Sequence, residues 1–257
     1  MTSSTNTSGT GSEMAGTTEI AWTDATFNPW WGCTKVGPGC DHCYAEAFDK
    51  RVGGDHWGKG SSPRILSDSY WHKPLRWQRQ AEKACEPRKV FCGSMCDWAD
   101  KNAPADERGR LWQLIRDTPM LRWQMLTKRA PNISKLLPHN WGSGYDNVWL
   151  GVTIENRKHG LRRLDVLREI PAKVRFLSIE PLLEDLCEID LTGIHWVIVG
   201  GESGGGFRKM EKTWVENVIH QCREQDVAMF FKQWGGTSRN KGGNLLNGYE
   251  IKEWPRV

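Results

Sequence analysis

The 257-residue sequence contains no apolar run near the roughly 18 residues that a membrane-spanning helix needs, and its mean hydropathy is −0.60. A membrane protein is therefore ruled out at this level. A secretion signal is missing as well. Met1 to Thr18 is rich in Ser, Thr and Gly, has neither a basic n-region nor an apolar h-region, and reads as a flexible polar leader. The chain also lacks a strong excess of either charge: 35 basic against 31 acidic side chains leave +4 and a pI near 8.6. That balance permits a nucleic-acid substrate without arguing for one. Beyond the leader there is no low-complexity stretch, no internal repeat and no linker that divides the chain, and none of the seven His forms a metal-spaced pair.

By length, one large domain or two small ones fit, and α/β barrels reach this size as a single unit. We expect a leader over residues 1–18, a barrel-like catalytic domain over 19–234, and a Gly- and Asn-rich tail over 235–257 that wraps the surface. Eight cysteines without a signal peptide point to a reducing, cytoplasmic setting, where clustered cysteines bind metal or do chemistry more often than they form disulfides. Fifteen Trp is unusually many. Core packing accounts for most of them, and stacking on a planar ligand or base is the sharper alternative.

Apolar, β-rich runs alternate with amphipathic stretches. The expected strands are Ala21–Trp30, Lys89–Met95, Arg122–Thr127, Val148–Ile154, Val174–Ile179, Ile194–Val199 and Ala228–Gln233. Helical spacing appears at Leu111, Leu114 and Ile115, at Leu161, Leu164 and Leu167, and at Val215, Val218 and Ile219. Strand, helix, strand repeated in this way implies parallel strands with right-handed crossovers. A doubly wound sheet and a barrel, partial or near-complete, both fit. Polar or glycine residues follow six of the apolar runs, as they would where loops converge on one mouth at the carboxyl ends of strands. The predicted fold is therefore an α/β partial or near-complete (β/α) barrel of about six to seven parallel strands.

The most informative segment is Asn28-Pro29-Trp30-Trp31-Gly32-Cys33-Thr34-Lys35-Val36-Gly37-Pro38-Gly39-Cys40-Asp41-His42-Cys43-Tyr44-Ala45. Cys40 and Cys43 are spaced to share one metal centre, and glycines let Cys33 fold back as a third thiolate. A closed zinc site would need a fourth ligand. His42, the only local candidate, sits between two cysteines, where its side chain would point away. Three thiolates and no obvious fourth ligand suit a [4Fe–4S] cluster with one open iron; structural zinc and unligated cysteines remain the alternatives.

This loop resembles the cluster-binding loop of the radical S-adenosylmethionine (SAM) superfamily, which typically has C-x3-C-x2-C after the first strand of a partial (β/α) barrel. The spacing here is C-x6-C-x2-C. The wider pattern, in Asn28–Ala45, Met125–Arg129, Gly151–Asn156, Ser178–Leu183, Trp196–Gly204 and Phe230–Gly236, looks like a phage- and prophage-encoded three-cysteine family often filed as of unknown function. The resemblance implies that Cys33, Cys40 and Cys43 hold the cluster and that its open iron chelates SAM. One electron then cleaves SAM to a 5′-deoxyadenosyl radical that abstracts a substrate hydrogen. His42 occupies a slot near the adenine in that superfamily. Gly93, Ser94 and Asp97 match the methionyl-amine segment, Thr153 and Glu155 match ribose contacts, and Ser178 and Glu180 would meet ribose, carboxylate or substrate.

Glu202, in the loop Gly200-Gly201-Glu202-Ser203-Gly204-Gly205-Gly206, is expected to contact substrate. The loop resembles a phosphate cradle without the Lys-Ser/Thr of a P-loop. Lys128, with Arg129 and Lys232, suggests a basic patch for a phosphate, and Lys158, Arg162 and Arg163 read as charge on a solvated helix. Cys92 and Cys96 read as buried thiols sooner than as ligands of a second cluster. The expected activity is a radical SAM isomerase or lyase acting on a nucleotide or DNA base, such as an amino-acid-modified thymine in phage DNA. The implied electron donor is flavodoxin- or ferredoxin-like, and the setting is the host cytoplasm if the chain is phage-encoded. The alternative is a zinc- or cluster-stabilised module that binds a protein or nucleic acid without turnover.

Overall fold

The computed structural model describes residues 18–256, so the leader expected over 1–18 lies, but for Thr18, outside the described residues. Seven strands form one parallel sheet: β1 (Ala25–Phe27), β4 (Arg88–Cys92), β5 (Leu121–Thr127), β6 (Val148–Thr153), β7 (Val174–Ile179), β8 (Trp196–Gly200) and β9 (Ala228–Gln233). Two short strands, β2 (Trp30–Trp31) and β3 (Arg64–Ile65), pair antiparallel outside it. The helices are α1 (Tyr44–Arg51), α2 (Asp68–Trp71), α3 (Lys73–Ala84), α4 (Ala105–Arg116), α5 (Ile133–Leu136), α6 (Arg162–Arg168) and α7 (Lys212–Glu224).

Spatial order in the sheet, β1-β4-β5-β6-β7-β8-β9, follows chain order throughout. Every crossover steps the same way, so right-handed connections leave the helices on one face and the twisted sheet curls around the other. A doubly wound sheet would reverse direction at a switch point, and this one does not. The fold is an α/β half-barrel of seven parallel strands. Eleven of the fifteen Trp are buried, which makes core packing their main use.

Side-chain alternation sorts each strand into an outer and an inner face. Outward residues such as Val90, Met125, Leu150, Leu177 and Val197 join Leu111, Ile115, Leu164 and Val218 in the main core under the helices. Inward residues change character along the barrel. At the amino end, Phe91, Trp149, Phe176, Trp196 and Phe230 interlock with Trp22 as an aromatic floor. Gly151 admits this packing, because a Cβ there would lie 2.4 Å from the Phe176 ring. Two residues further along β7, the same inward face carries Ser178, and beyond it Glu180.

Four boundaries differ from the sequence expectation by more than a residue. One is β8, which begins at Trp196 and not Ile194 because the Ile194 N–H closes a turn onto the Leu191 carbonyl. The first strand is only Ala25–Phe27, because Pro29 has no N–H for the ladder and Asn28 turns its side chain to Ser94 and to the backbone N–H of Met95. The second ends at Cys92, since Gly93 adopts φ +93°. The tail does more than wrap the surface: Ile251 and Glu253 pair antiparallel with the β9 edge, and the Glu253 carbonyl accepts from Trp196 Nε1 at 2.7 Å. Trp254 meets Phe230 edge-on (5.3 Å between centroids) and its indole N–H reaches the Trp22 carbonyl, so the tail spans the floor from β9 toward the segment before β1.

Candidate active site at the barrel mouth

The cysteine loop lies over the carboxyl ends of the strands. Cys33 follows β2, Cys40 ends a 3-10 turn at Pro38–Cys40, and Cys43 is the N-cap of α1. Cys33 and Cys43 pack against the same small apolar cluster of Ala45, Trp57 and Met95. Arg129 Nη1 lies 3.5 Å from Cys33 Sγ and donates to it. Burial and the neighbouring Asp97 nevertheless push the Cys33 thiol up to about 12, more than Arg129 offsets. Among the described residues, no three His, Cys, Asp or Glu side chains converge closely enough to hold a single metal ion.

Four strand ends fasten this loop. After β4, Asp97 accepts from Thr127 Oγ1 (2.6 Å) and Ala99 N (3.0 Å) on one oxygen, and from Lys128 N (3.0 Å) and Arg129 Nη1 (2.8 Å) on the other. A carboxylate offers about four acceptor sites, so Asp97 has none to spare for an ammonium. After β5, Arg129 also reaches Asp100 (2.8 Å) and the Thr34 carbonyl (2.8 Å) in the cysteine loop. Burial disfavours its charge, yet Asp97, Cys33 and Asp100 together hold its pKa above the usual range.

After β6, Glu155 is 2% exposed at its side chain and lies between Arg163 Nη1 (2.6 Å) and Lys128 Nζ (3.3 Å). The backbone at Gly39 presses on this side chain so closely that a Cβ there would fall 2.3 Å from Glu155 Cγ and 2.4 Å from its Oε1. Burial works against the Lys128 charge, but Glu155 and Cys40 outweigh it and keep the ammonium protonated. After β8, Glu202 accepts from Arg208 Nε (2.9 Å) and contacts His42 Nδ1 (3.0 Å), while Arg208 Nη2 donates to the Pro38 carbonyl (2.9 Å). Although burial raises it, bonds from Arg208 and His42 bring the Glu202 pKa down to about 2. After β7, Glu180 takes Lys232 Nζ (2.6 Å) and Gln233 Nε2 (3.2 Å), both on Oε1.

The expected residues therefore gather at one mouth, but in altered parts. Lys128, Arg129 and Lys232 do not form a free phosphate patch, because each has a carboxylate partner. Arg163, read from sequence as solvated, is buried and also holds the Thr153 carbonyl at 2.7 Å. The glycine loop does not cradle a ligand at Gly201, whose missing Cβ leaves room for the Trp234 carbonyl oxygen. Gly93 serves a left-handed turn, and Ser94 bonds Asn28. Thr153 and Ser178 are cross-strand partners, both buried, and neither hydroxyl has a hydrogen-bond partner among the described residues. Cys92 and Cys96 are buried free thiols.

Sequence reasoning missed Asp100, Asn28, Tyr44 and Arg208. Asp100 becomes distinctive only through its contact with Arg129, and Arg208 carries no local signal. Tyr44 is 57% exposed, yet its hydroxyl donates to the Ser94 carbonyl (3.1 Å), and Glu180 and Cys43 add to burial in raising its pKa. An accessible side chain so surrounded lines a concave mouth.

No curated protein matches this chain. Among solved structures, a double mutant of spore photoproduct lyase with bound AdoMet and dinucleoside spore photoproduct is similar at TM-score 0.47 and 14% identity. The match covers 79% of this chain and 62% of that one. A complex of spore photoproduct lyase with dinucleoside spore photoproduct gives the same values. Among the described residues no helix is long and apolar enough to cross a membrane. The model of the family described as "Protein of unknown function (DUF5131)" matches residues 17–255, and the chain belongs to that family.

Proposed function

We propose that this chain is a radical SAM enzyme in which Cys33, Cys40 and Cys43 ligate a [4Fe–4S] cluster over the barrel mouth, and that it modifies a base in nucleic acid. The observation that carries this reading is the fastening of a three-cysteine loop, by Glu155, Arg129 and the Glu202–Arg208 pair, above the carboxyl ends of seven parallel strands. The residues fit the group by their chemistry: soft thiolates from one loop, an apolar wall at Cys33 and Cys43, and a guanidinium donating to sulfur. A single ion needs its ligands within about 2.0–2.3 Å of one point. A [4Fe–4S] cluster would take one thiolate per iron, so Cys33, Cys40 and Cys43 would each hold a different iron and need not converge on one point. With SAM bound, such a group would pass on one electron from an external reductant for reductive C–S cleavage.

The chain's own residues orient and enclose. Arg129 and Arg208 hold the loop by the Thr34 and Pro38 carbonyls, on either side of its glycine turn. Lys128 stays protonated beside Glu155 and cannot act as a base there. Groups with bonding capacity left for a bound molecule include Glu180 Oε2, the hydroxyls of Thr153 and Ser178, and Glu155 Oε1, which is buried without a hydrogen-bond partner among the described residues. The aromatic floor beneath them closes the amino end, as a reactive intermediate requires.

Anaerobic reconstitution tests this. We expect about four irons per chain, broad absorbance near about 400 nm, and conversion of SAM to 5′-deoxyadenosine under dithionite. Colourless protein with one zinc per chain overturns it in favour of a non-catalytic module, and iron content that survives Cys40→Ala overturns the ligand assignment.

A further inference from the structure

Nucleic acid brings phosphates, yet the cations inside the mouth are all matched by carboxylates. The recognition surface must then lie beside the mouth. Helix α1 starts immediately after Cys43, and Tyr44, Phe48 and Arg51 fall at i, i+4 and i+7 on one face. That face is not covered: Tyr44 is 57% and Phe48 37% exposed. Trp31 of β2 meets Phe48 edge-on at 5.8 Å between centroids. Arg51 lies over the Phe48 ring at 5.4 Å, and Arg64 of β3 lies over Trp31 at 4.8 Å. Neither guanidinium joins an ion pair among the described residues, whereas the neighbouring Lys50 and Lys35 both pair with Glu46.

We propose that Tyr44, Phe48, Trp31, Arg51 and Arg64 form a stacking platform for single-stranded nucleic acid at the rim of the mouth. A guanidinium held over an aromatic ring without a carboxylate partner keeps N–H groups free for phosphate. Exposed ring faces receive unstacked bases, which a duplex does not present. Tyr44 joins the platform to the mouth, since its hydroxyl donates to the Ser94 carbonyl. A strand lying on α1 therefore runs past the mouth, where one base would enter. The inference deepens the proposed function by naming the form of its substrate.

The test is fluorescence anisotropy of the full chain, as isolated, with a labelled twelve-nucleotide single strand and with its duplex. We expect the single strand to bind at least about tenfold more tightly than the duplex. Phe48→Ala should weaken binding about tenfold. Arg51→Ala and Arg64→Ala should each weaken it about three- to tenfold and lower the salt slope by about 0.7. Melting curves check that the variants fold, and Arg64→Ala leaves α1 untouched. Equal affinity for duplex, or unchanged binding in all three variants, overturns the platform. Displacement by polyglutamate at equal charge assigns the face to an acidic protein. Sedimentation showing a dimer that Phe48→Ala dissolves assigns it to a second copy, and either result also overturns the proposal. Since the assay needs neither iron nor SAM, strand binding without SAM cleavage rejects the enzymatic reading alone, and SAM cleavage without strand binding rejects the platform alone.

Discussion

The two ends of the barrel interior are built from the same strands and bury their residues by opposite means. At the amino end, Trp149, Phe176, Trp196 and Phe230 interlock by shape, and nearly any apolar side chain of the right volume would contribute. At the carboxyl end, each charged group is specified by its partner: Arg129 by Asp97 and Asp100, Glu155 by Arg163, Glu202 by Arg208. The difference separates filled carboxylates from ones with capacity left. Asp97, whose lone pairs are filled, serves only to hold the loop; Glu180, with both bonds on Oε1, keeps its other oxygen free to accept.

The largest effects come from removing the central member at each end. Arg129→Ala leaves Asp97 and Asp100 buried without a cation and should cost about 3–5 kcal/mol in urea melts. Trp196→Ala should cost about 3–5 kcal/mol through lost packing. The two then diverge. Trp196→Phe should recover most of its loss, short of the bond to Glu253, because shape is what the floor needs. Arg129→Lys should recover little, because one ammonium cannot serve two carboxylates, a carbonyl and a sulfur at once. Reconstituted iron per folded chain should fall in Arg129→Ala and stay at the wild-type level in Trp196→Ala. Equal iron loss in both would erase the contrast.

The floor was more legible in the sequence than the mouth, for a physical reason. Apart from Arg175, the inward and outward positions of Val148–Thr153 and Val174–Ile179 are all apolar or small, so the runs stand out, and those strands match the expectation within a residue. Helix α3 carried a weaker signal: its buried positions are Pro74, Trp77, Gln78 and Ala81, set among charges, and the sequence reading left 44–84 without elements. At the mouth, residue types were legible and pairings were not. Nothing local indicates that Arg208 reaches back about 170 positions to the Pro38 carbonyl, or that Arg163 turns inward from an amphipathic helix. Charge pairing is set by tertiary proximity, which periodicity does not encode.

Two glycines sharpen the comparison at smaller scale. Gly151→Ala drives a methyl into the Phe176 ring, and Gly39→Ala drives one into the Glu155 carboxylate; each should cost about 1–3 kcal/mol. Phe176→Leu should rescue Gly151→Ala, since the ring is the obstacle. Glu155→Ala should not rescue Gly39→Ala, because it strands Arg163 and Lys128. A double-mutant cycle measures both couplings. Arg208→Lys should be milder still in stability, while loosening the turn at Pro38–Cys40. Its readout is a lower iron affinity with an unchanged melting temperature.

The smallest expected effect isolates one proton at the floor. His195 precedes Trp196, and its Nδ1 accepts from the Arg175 backbone N–H at 3.1 Å. Burial, then the Arg175 charge, holds its pKa below the ordinary 6.5. Below that value the unfolded chain takes up the proton more readily than the folded one. Its contribution is therefore complete above about pH 6.5 and is lost as pH falls through the lowered folded value. One proton limits the slope to about 1.4 kcal/mol per pH unit. His195→Gln should flatten the stability profile between pH 7 and 5 by no more than this, with iron binding unaltered. Acid sensitivity that persists in the variant then belongs to carboxylates elsewhere, and an unchanged profile would mean that His195 is as free to protonate in the fold as in water.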